Sequence, residues 1–243
     1  MAYGPDNRFQ LRTGAAPGSA AGAVIDEGLR AYMLQIYNYM ASGLALTGIV
    51  AYATSKSPQL MQLIFGTPLS WVVMLAPLGF VLAMSFGVNK MRASTLQILF
   101  WSFSAVMGLS LASIFLIYTG TSIARVFFIS ASMFAGMSLY GYTTKRDLSG
   151  IGSFLFMGLI GIIIASVVNL FLQSSALQFV VSVVGVLVFV GLTAYDTQKI
   201  KSMYYEADGA EIAAKKSIMG AVTLYLDFIN LFLMLLRLLG DRR

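Results

Sequence analysis

The sequence contains no cysteine and no histidine. Without cysteine there are no disulfides, no thiolate nucleophile and no zinc–thiolate site. Without histidine the commonest metal ligand and the usual neutral-pH titrating group are both missing. A response to pH near neutrality must then come from perturbed carboxylates or the terminal amine. Charge is scarce as well: 11% of residues are Asp, Glu, Lys or Arg, against roughly a quarter in ordinary soluble domains. That scarcity excludes a water-soluble globular domain. Apolar residues fill the space, at 58% of the 243 positions, with a mean hydropathy of +0.80. Such a chain can make about six to eight membrane crossings of roughly 20 residues each. The expected fold class is all-α, a polytopic membrane helix bundle.

Residues 1–30 are polar, rich in Gly, Ala and Pro, and contain no apolar run. They lack the apolar core of a signal peptide and are expected to form a disordered or loosely helical cytoplasmic tail, with the transmembrane domain over 31–243. Seven apolar segments follow, at about 31–53, 69–88, 94–118, 123–143, 150–172, 177–198 and 217–238. The seventh carries Asp227 and Asn230 near its middle and is flanked by Lys215, Lys216 and Arg237. It is expected to be short, tilted or buried within the bundle. Pro77, inside the second segment, removes one helix hydrogen bond and predicts a kink.

Lysine and arginine placement sets orientation. The tail holds Arg8, Arg12 and Arg30, and alternate loops hold Lys90 with Arg92, Lys145 with Arg146, and Lys199, Lys201, Lys215 and Lys216. The opposite loops hold Lys56 and Arg125. The positive-inside rule puts the N-terminus in the cytoplasm. A full seventh crossing would put Arg242 and Arg243 outside, against that rule, so segment seven is either re-entrant or overrides a weak terminal bias. The net charge of +6 lies between apolar segments. It fits topology and lipid headgroups, and no nucleic-acid partner is expected. Small residues recur within the segments (Gly43, Gly48, Ser132 with Gly136, Gly158 with Gly161 and Ala165, Gly185, Gly191). In lipid these allow close helix approach, which is read as packing within one chain. No inverted half-repeat stands out, so a two-half transporter is not favoured.

Of the ten acidic residues, eight lie in tails, loops or segment edges. Glu206, Asp208 and Glu211 do not make a calcium-hand loop, because the alternating oxygen ligands are missing. Asp196 and Asp227 differ: each sits in an apolar segment, where an ionisable group costs several kcal/mol and faces a cavity or a partner. Thr193, Tyr195 and Thr197 neighbour the first acid, and Tyr225 and Asn230 the second. Burial and a nearby like charge each disfavour the charged form, so a facing pair would titrate as a coupled unit sharing one proton. Loss of that proton would leave two adjacent anions that separate the helices or recruit a cation. The alternative is that Asp196 caps its helix beside Lys199 and that Asp227 is held by backbone. Depth bears on the choice. Asp227 lies about ten residues, roughly 15 Å, into its segment, whereas Asp196 lies near the cytoplasmic edge. Pairing therefore requires segment six to enter obliquely or segment seven to start outside the headgroups.

Two acids at membrane depth also suggest an intramembrane aspartyl protease. The Tyr195-Asp196 dipeptide resembles half of the presenilin-type signature, but residues 224–227 read Leu-Tyr-Leu-Asp instead of Gly-x-Gly-Asp. Serine rhomboid chemistry needs a histidine. No enzymatic activity is expected.

The stretch Gly191-Leu-Thr-Ala-Tyr-Asp-Thr-Gln-Lys-Ile200 resembles the sixth-helix motif of the Bax inhibitor-1 family, the transmembrane Bax inhibitor motif proteins. The likeness covers roughly 30–240, most strongly 180–235, and is nearest to bacterial inner-membrane members. It implies a bundle of seven helices with a central, acid-bearing seventh. It also implies a pH-sensitive calcium leak controlled by an aspartate pair, here Asp196 and Asp227, which would contact Ca²⁺ transiently as the transported ion. No resident cofactor is implied. A basic latch from the second helix is part of the family pattern, and Lys90 and Arg92 are the candidates for it here. Thr193, Tyr195, Tyr225 and Asn230 are the expected supporting polar groups. Some bacterial relatives are linked instead to modulating a membrane-bound protease. The competing expectation is thus a non-transporting regulator that binds another membrane protein.

Overall fold

The computed structural model describes residues 17–243, with side chains from Glu27 onward. Within that range the chain forms nine α-helices and no strands. They are α1 (Pro17–Ser55), α2 (Pro58–Phe65), α3 (Leu69–Gly87), α4 (Ala93–Leu111), α5 (Ile114–Ile117), α6 (Gly120–Thr143), α7 (Ser149–Leu172), α8 (Ser175–Ser202) and α9 (Ala210–Leu239). Six helical stretches among the described residues are long and apolar enough to cross a membrane: 69–87, 93–117, 120–143, 149–172, 175–202 and 210–239. α1 falls outside that set because Gln35, Asn38 and several tyrosines dilute its apolar run.

Local chemistry sets the ends of these helices. Ser57, Thr119 and Ser174 cap α2, α6 and α8 by accepting from the backbone N–H of Leu60, Ser122 and Leu177, which satisfies donors the first turn leaves open. α2, with Pro58 in its first turn, was not anticipated as a helix, although Ser57-Pro58 is a capping signal. α7 ends at Gln173, whose φ of 49° is left-handed. Pro77 lies buried inside α3, and the helix continues through it.

The boundaries depart from expectation at two places. α1 begins at Pro17, so residues 17–30 of the expected tail belong to a helix; residues 1–16 lie outside the described residues. α9 begins at Ala210, seven residues ahead of the expected 217. Glu211 in its first turn complements the helix dipole and also accepts from the N–H of Ala93 at 2.6 Å.

The loops gather on two faces. On the lysine-rich face, Glu211 ties α9 to the start of α4, Gln198 bonds the backbone of Arg146 and Leu148, and Lys201 donates to Tyr142 O at 2.7 Å. On the opposite face the chain's end is fastened beside the start of α6. Thr119 N donates to Asp241 O, Asp241 N to Ser122 Oγ, and Arg125 to Leu239 O and the Asp241 carboxylate. α9 thus runs from one face to the other as one continuous helix. α1 makes the same journey, with Tyr32 packed on Tyr204 at one end and Tyr52 on Phe115 at the other.

α9 packs against α1, α3, α4, α6 and α8, and its core face is apolar and buried. Glycines decide how closely the helices meet. Gly43 faces Phe100, Gly158 faces Val188, Gly185 faces Met234 and Gly191 faces Leu155, each without room for a Cβ at ordinary contact distance. Gly48, Gly136 and Gly161 face open space instead. Among the tight contacts not foreseen are Gly108 against the Thr47 backbone, Gly141 against the Ala194 backbone and Gly152 against the Tyr195 ring.

Candidate functional site: an aspartate pair between joined cavities

Along α9 the polar residues Thr223, Asp227, Asn230 and Arg237 recur at spacings of four, three and seven, which places them on one stripe of the helix. The remaining face is apolar and buried in the bundle. α7 packs on α8 and stands away from the α9 stripe. A cavity of about 560 Å³ lies between α7, α8 and α9, lined by Thr223, Asp227, Asn230, Arg237 and Asp196 together with α7 side chains.

Asp196 reaches the same place from α8. Gly220 meets Ile200, and Gly185 meets Met234, so the two helices run antiparallel with Asp196 level with the Thr223–Asp227 turn. The early start of α9 at Ala210 produces this register and removes the apparent mismatch in depth. The two aspartates thus line one cavity, from facing helices. Asp227 is 6% exposed, and its Oδ2 is buried without a hydrogen-bond partner. Two carboxyls can share a hydrogen bond only when one carries a proton. Leaving a buried acceptor unmatched costs ~1–3 kcal/mol, more when it is charged. The arrangement therefore calls for a proton or a cation. Asp196 lies well inside α8, before its end at Ser202, and is not a terminal cap.

A second cavity, of about 610 Å³, opens on the lysine-rich face between α3, α8 and α9 and shares Asp196 and Thr223 with the first. Lys199, Lys215, Lys216 and Asn89 line it. Lys216 pairs with Asp208, and Lys215 lies 3.8 Å from Glu211. Toward the opposite face a third cavity, of about 430 Å³ with Asn169, Gln173 and Gln178 in its lining, shares Ser166, Leu170 and Arg237 with the first. The three cavities thus share lining residues in series, with Asp196 common to the first two and Asp227 in the first alone.

The other expected site residues separate. Asn230 lines the central cavity, its amide donating to Leu226 O at 2.8 Å. Thr193 is buried and donates to Phe189 O. The Tyr195 ring packs on Gly152 and under Lys199. Tyr225 turns the other way, toward α1 and α4. Thr47 Oγ1 spends its one proton on Ser104 O, so the Tyr225 hydroxyl donates to Thr47 at 2.6 Å. Lys90 and Arg92 are exposed, and neither forms an ion pair among the described residues. In this structure they do not latch Asp196, because α3 ends beside the cavity and offers it Val88 and Asn89 instead. Thr223, Lys199 and Arg237 were missed as site residues, and the spacing along α9 is the signal that would have found two of them.

Comparison with known proteins shows the family of the chain. The model of the family described as "Inhibitor of apoptosis-promoting Bax1" matches residues 29–243. The chain is 58% identical to the uncharacterized protein RP147 of Rickettsia prowazekii, covering 90% of this chain and 92% of that one. It is 52% identical to the inner membrane protein YbhL of Escherichia coli, covering 89% and 94%. An uncharacterized protein of Caulobacter vibrioides is 46% identical, covering 93% and 95%.

Proposed function

Because the chain belongs to the Bax inhibitor-1 family of multi-pass membrane proteins, we propose that it is a pH-gated cation leak that passes Ca²⁺, with Asp196 and Asp227 as proton sensor and ion contact. The observation that carries this reading is that Asp196 and Asp227 line one cavity from facing helices, and that Asp196 also lines the cavity on the lysine-rich face. At low pH one shared proton clasps α8 to α9. When pH rises and the proton leaves, the two charges repel; a pair of unit charges at ~4 Å does so by about 4 kcal/mol at an effective dielectric of about 20. A bias of that size moves a two-state equilibrium by roughly a thousandfold.

The other charged groups facing the pair are Lys199, Lys215 and Lys216 on the lysine-rich side and Arg237 on the far side. α7 presents no charge to the central cavity. Among the described residues no cluster of three or more acids is present to cage a metal. Calcium takes six or more oxygens, so two carboxylates, Thr223, Asn230 and water would hold it weakly, as passage requires. On this reading the protein is not an enzyme and holds no resident cofactor.

In the same reading α1 is a crossing too, which makes seven with α9 at the centre, and the lysine-rich face and N-terminus lie in the cytoplasm of an inner membrane. The contacts of α1 at both faces support this. The test is Ca²⁺ flux into proteoliposomes across a pH series. Wild-type flux should rise with pH, and Asp227→Asn should flatten the profile. Absence of wild-type flux, together with a co-purifying membrane protein, would favour a docking regulator instead.

A further inference from the structure

α1 packs closely on α4 and α9, and α6 on α8 and α9, but α1 and α6 do not pack closely on each other. The gap between them is an apolar groove made of two joined cavities of about 430 and 330 Å³ that share Tyr37 and Phe134. It opens at Arg30 and Tyr142 on the lysine-rich face and ends at Ala45 and Phe127. From Arg30 to Ala45, α1 rises roughly 22 Å at 1.5 Å per residue. One leaflet of hydrocarbon is about 15 Å deep, so the groove is long enough for a whole acyl chain.

The polar atoms inside the groove are already engaged. Thr197 Oγ1 donates to Thr193 O, which leaves Ser138 to donate to Thr197 at 3.0 Å and the Tyr37 hydroxyl to donate to Ser138 at 2.6 Å. What remains facing outward is carbon. Cations stand at the mouth. Arg30 lines it, and Lys201 is held there by Tyr142, whose carbonyl it meets at 2.7 Å and whose ring it covers at 5.0 Å.

We propose that this groove holds one acyl chain of an anionic glycerophospholipid from the leaflet on the lysine-rich face, with Arg30 and Lys201 meeting its phosphate. Basic pockets between membrane helices favour anionic headgroups. The site is separate from the aspartate pair and does not depend on the leak reading.

The test uses the purified full-length protein and native mass spectrometry with phosphatidylglycerol and phosphatidylcholine of identical chains. Wild type should retain one phosphatidylglycerol in preference to phosphatidylcholine. Arg30→Gln and Lys201→Gln should each cut that preference by about fivefold. Ala41→Trp and Ala135→Trp, at exposed alanines on the two walls, should expel either lipid while helical content and monodisperse elution persist. Equal retention of the two lipids by wild type would overturn the proposal. So would undiminished preference in Arg30→Gln or unchanged lipid in the tryptophan variants. Arg30→Gln alters an exposed residue, so the test stands even if a tryptophan variant fails to fold.

Discussion

Removing the Tyr225 hydroxyl and removing the Thr47 hydroxyl should have unequal costs, although both break one 2.6 Å hydrogen bond. Tyr225 is fully buried, its ring 5.0 Å from that of Phe103, and its hydroxyl is the donor. In Tyr225→Phe the ring stays and Thr47 still donates to Ser104 O at 2.8 Å, so nothing buried is orphaned. The expected cost is one net hydrogen bond, ~1 kcal/mol. In Thr47→Val the tyrosine hydroxyl loses its acceptor in a dry site, and the expected cost is ~1–3 kcal/mol. The double variant should lie closer to Thr47→Val than the sum of the two, with a coupling of about 0.5 kcal/mol or more. Thermal unfolding of the purified protein reads this as roughly 2–4 °C per kcal/mol for a chain of this size. Because Tyr225 faces α1 and α4, Tyr225→Phe should also leave the pH profile of Ca²⁺ flux unmoved. A Tyr225→Phe cost exceeding that of Thr47→Val, or a shifted flux profile, would refute this reasoning.

Three further outcomes are expected. Gly141→Ala sets a Cβ against the Ala194 backbone and should cost ~1–3 kcal/mol, whereas Gly136→Ala, which meets nothing within 4 Å, should be neutral or mildly stabilising in the same unfolding assay. Lys199→Gln removes a cation that lines the same cavity as Asp196; a nearby cation favours an ionised carboxyl, so the onset of flux should move to higher pH, whereas Lys90→Gln, exposed and without an ion pair among the described residues, should leave it in place. Arg125→Gln breaks an ion pair whose side chains are 54% and 66% exposed, and should lower stability by less than ~1 kcal/mol in thermal unfolding.

Apolar runs made the helices legible in the sequence, and each of the seven segments matches a helix or helix pair. The cost of charge in lipid singled out Asp196 and Asp227 without reference to any structure. Their register was harder to read. It depends on α9 beginning in the polar stretch from Ala210 to Ser217, which hydropathy assigns to a loop. Neighbours in sequence also misled. Tyr225 lies two residues from Asp227, about 200° around the helix, and so faces α4 rather than the cavity. Thr223, four residues away, shares the aspartate's face. The tight contacts at Gly141 and Gly152 depend on which helices adjoin, which no single segment records.

The central claim is that Asp196 and Asp227 share one proton whose loss opens the path. Infrared spectra of the reconstituted protein, titrated in the range where Ca²⁺ flux rises, test it most directly. A protonated carboxyl band should disappear in step with the onset of flux and should be missing from Asp227→Asn. A band that survives in Asp227→Asn, or one that titrates apart from the flux, would contradict it.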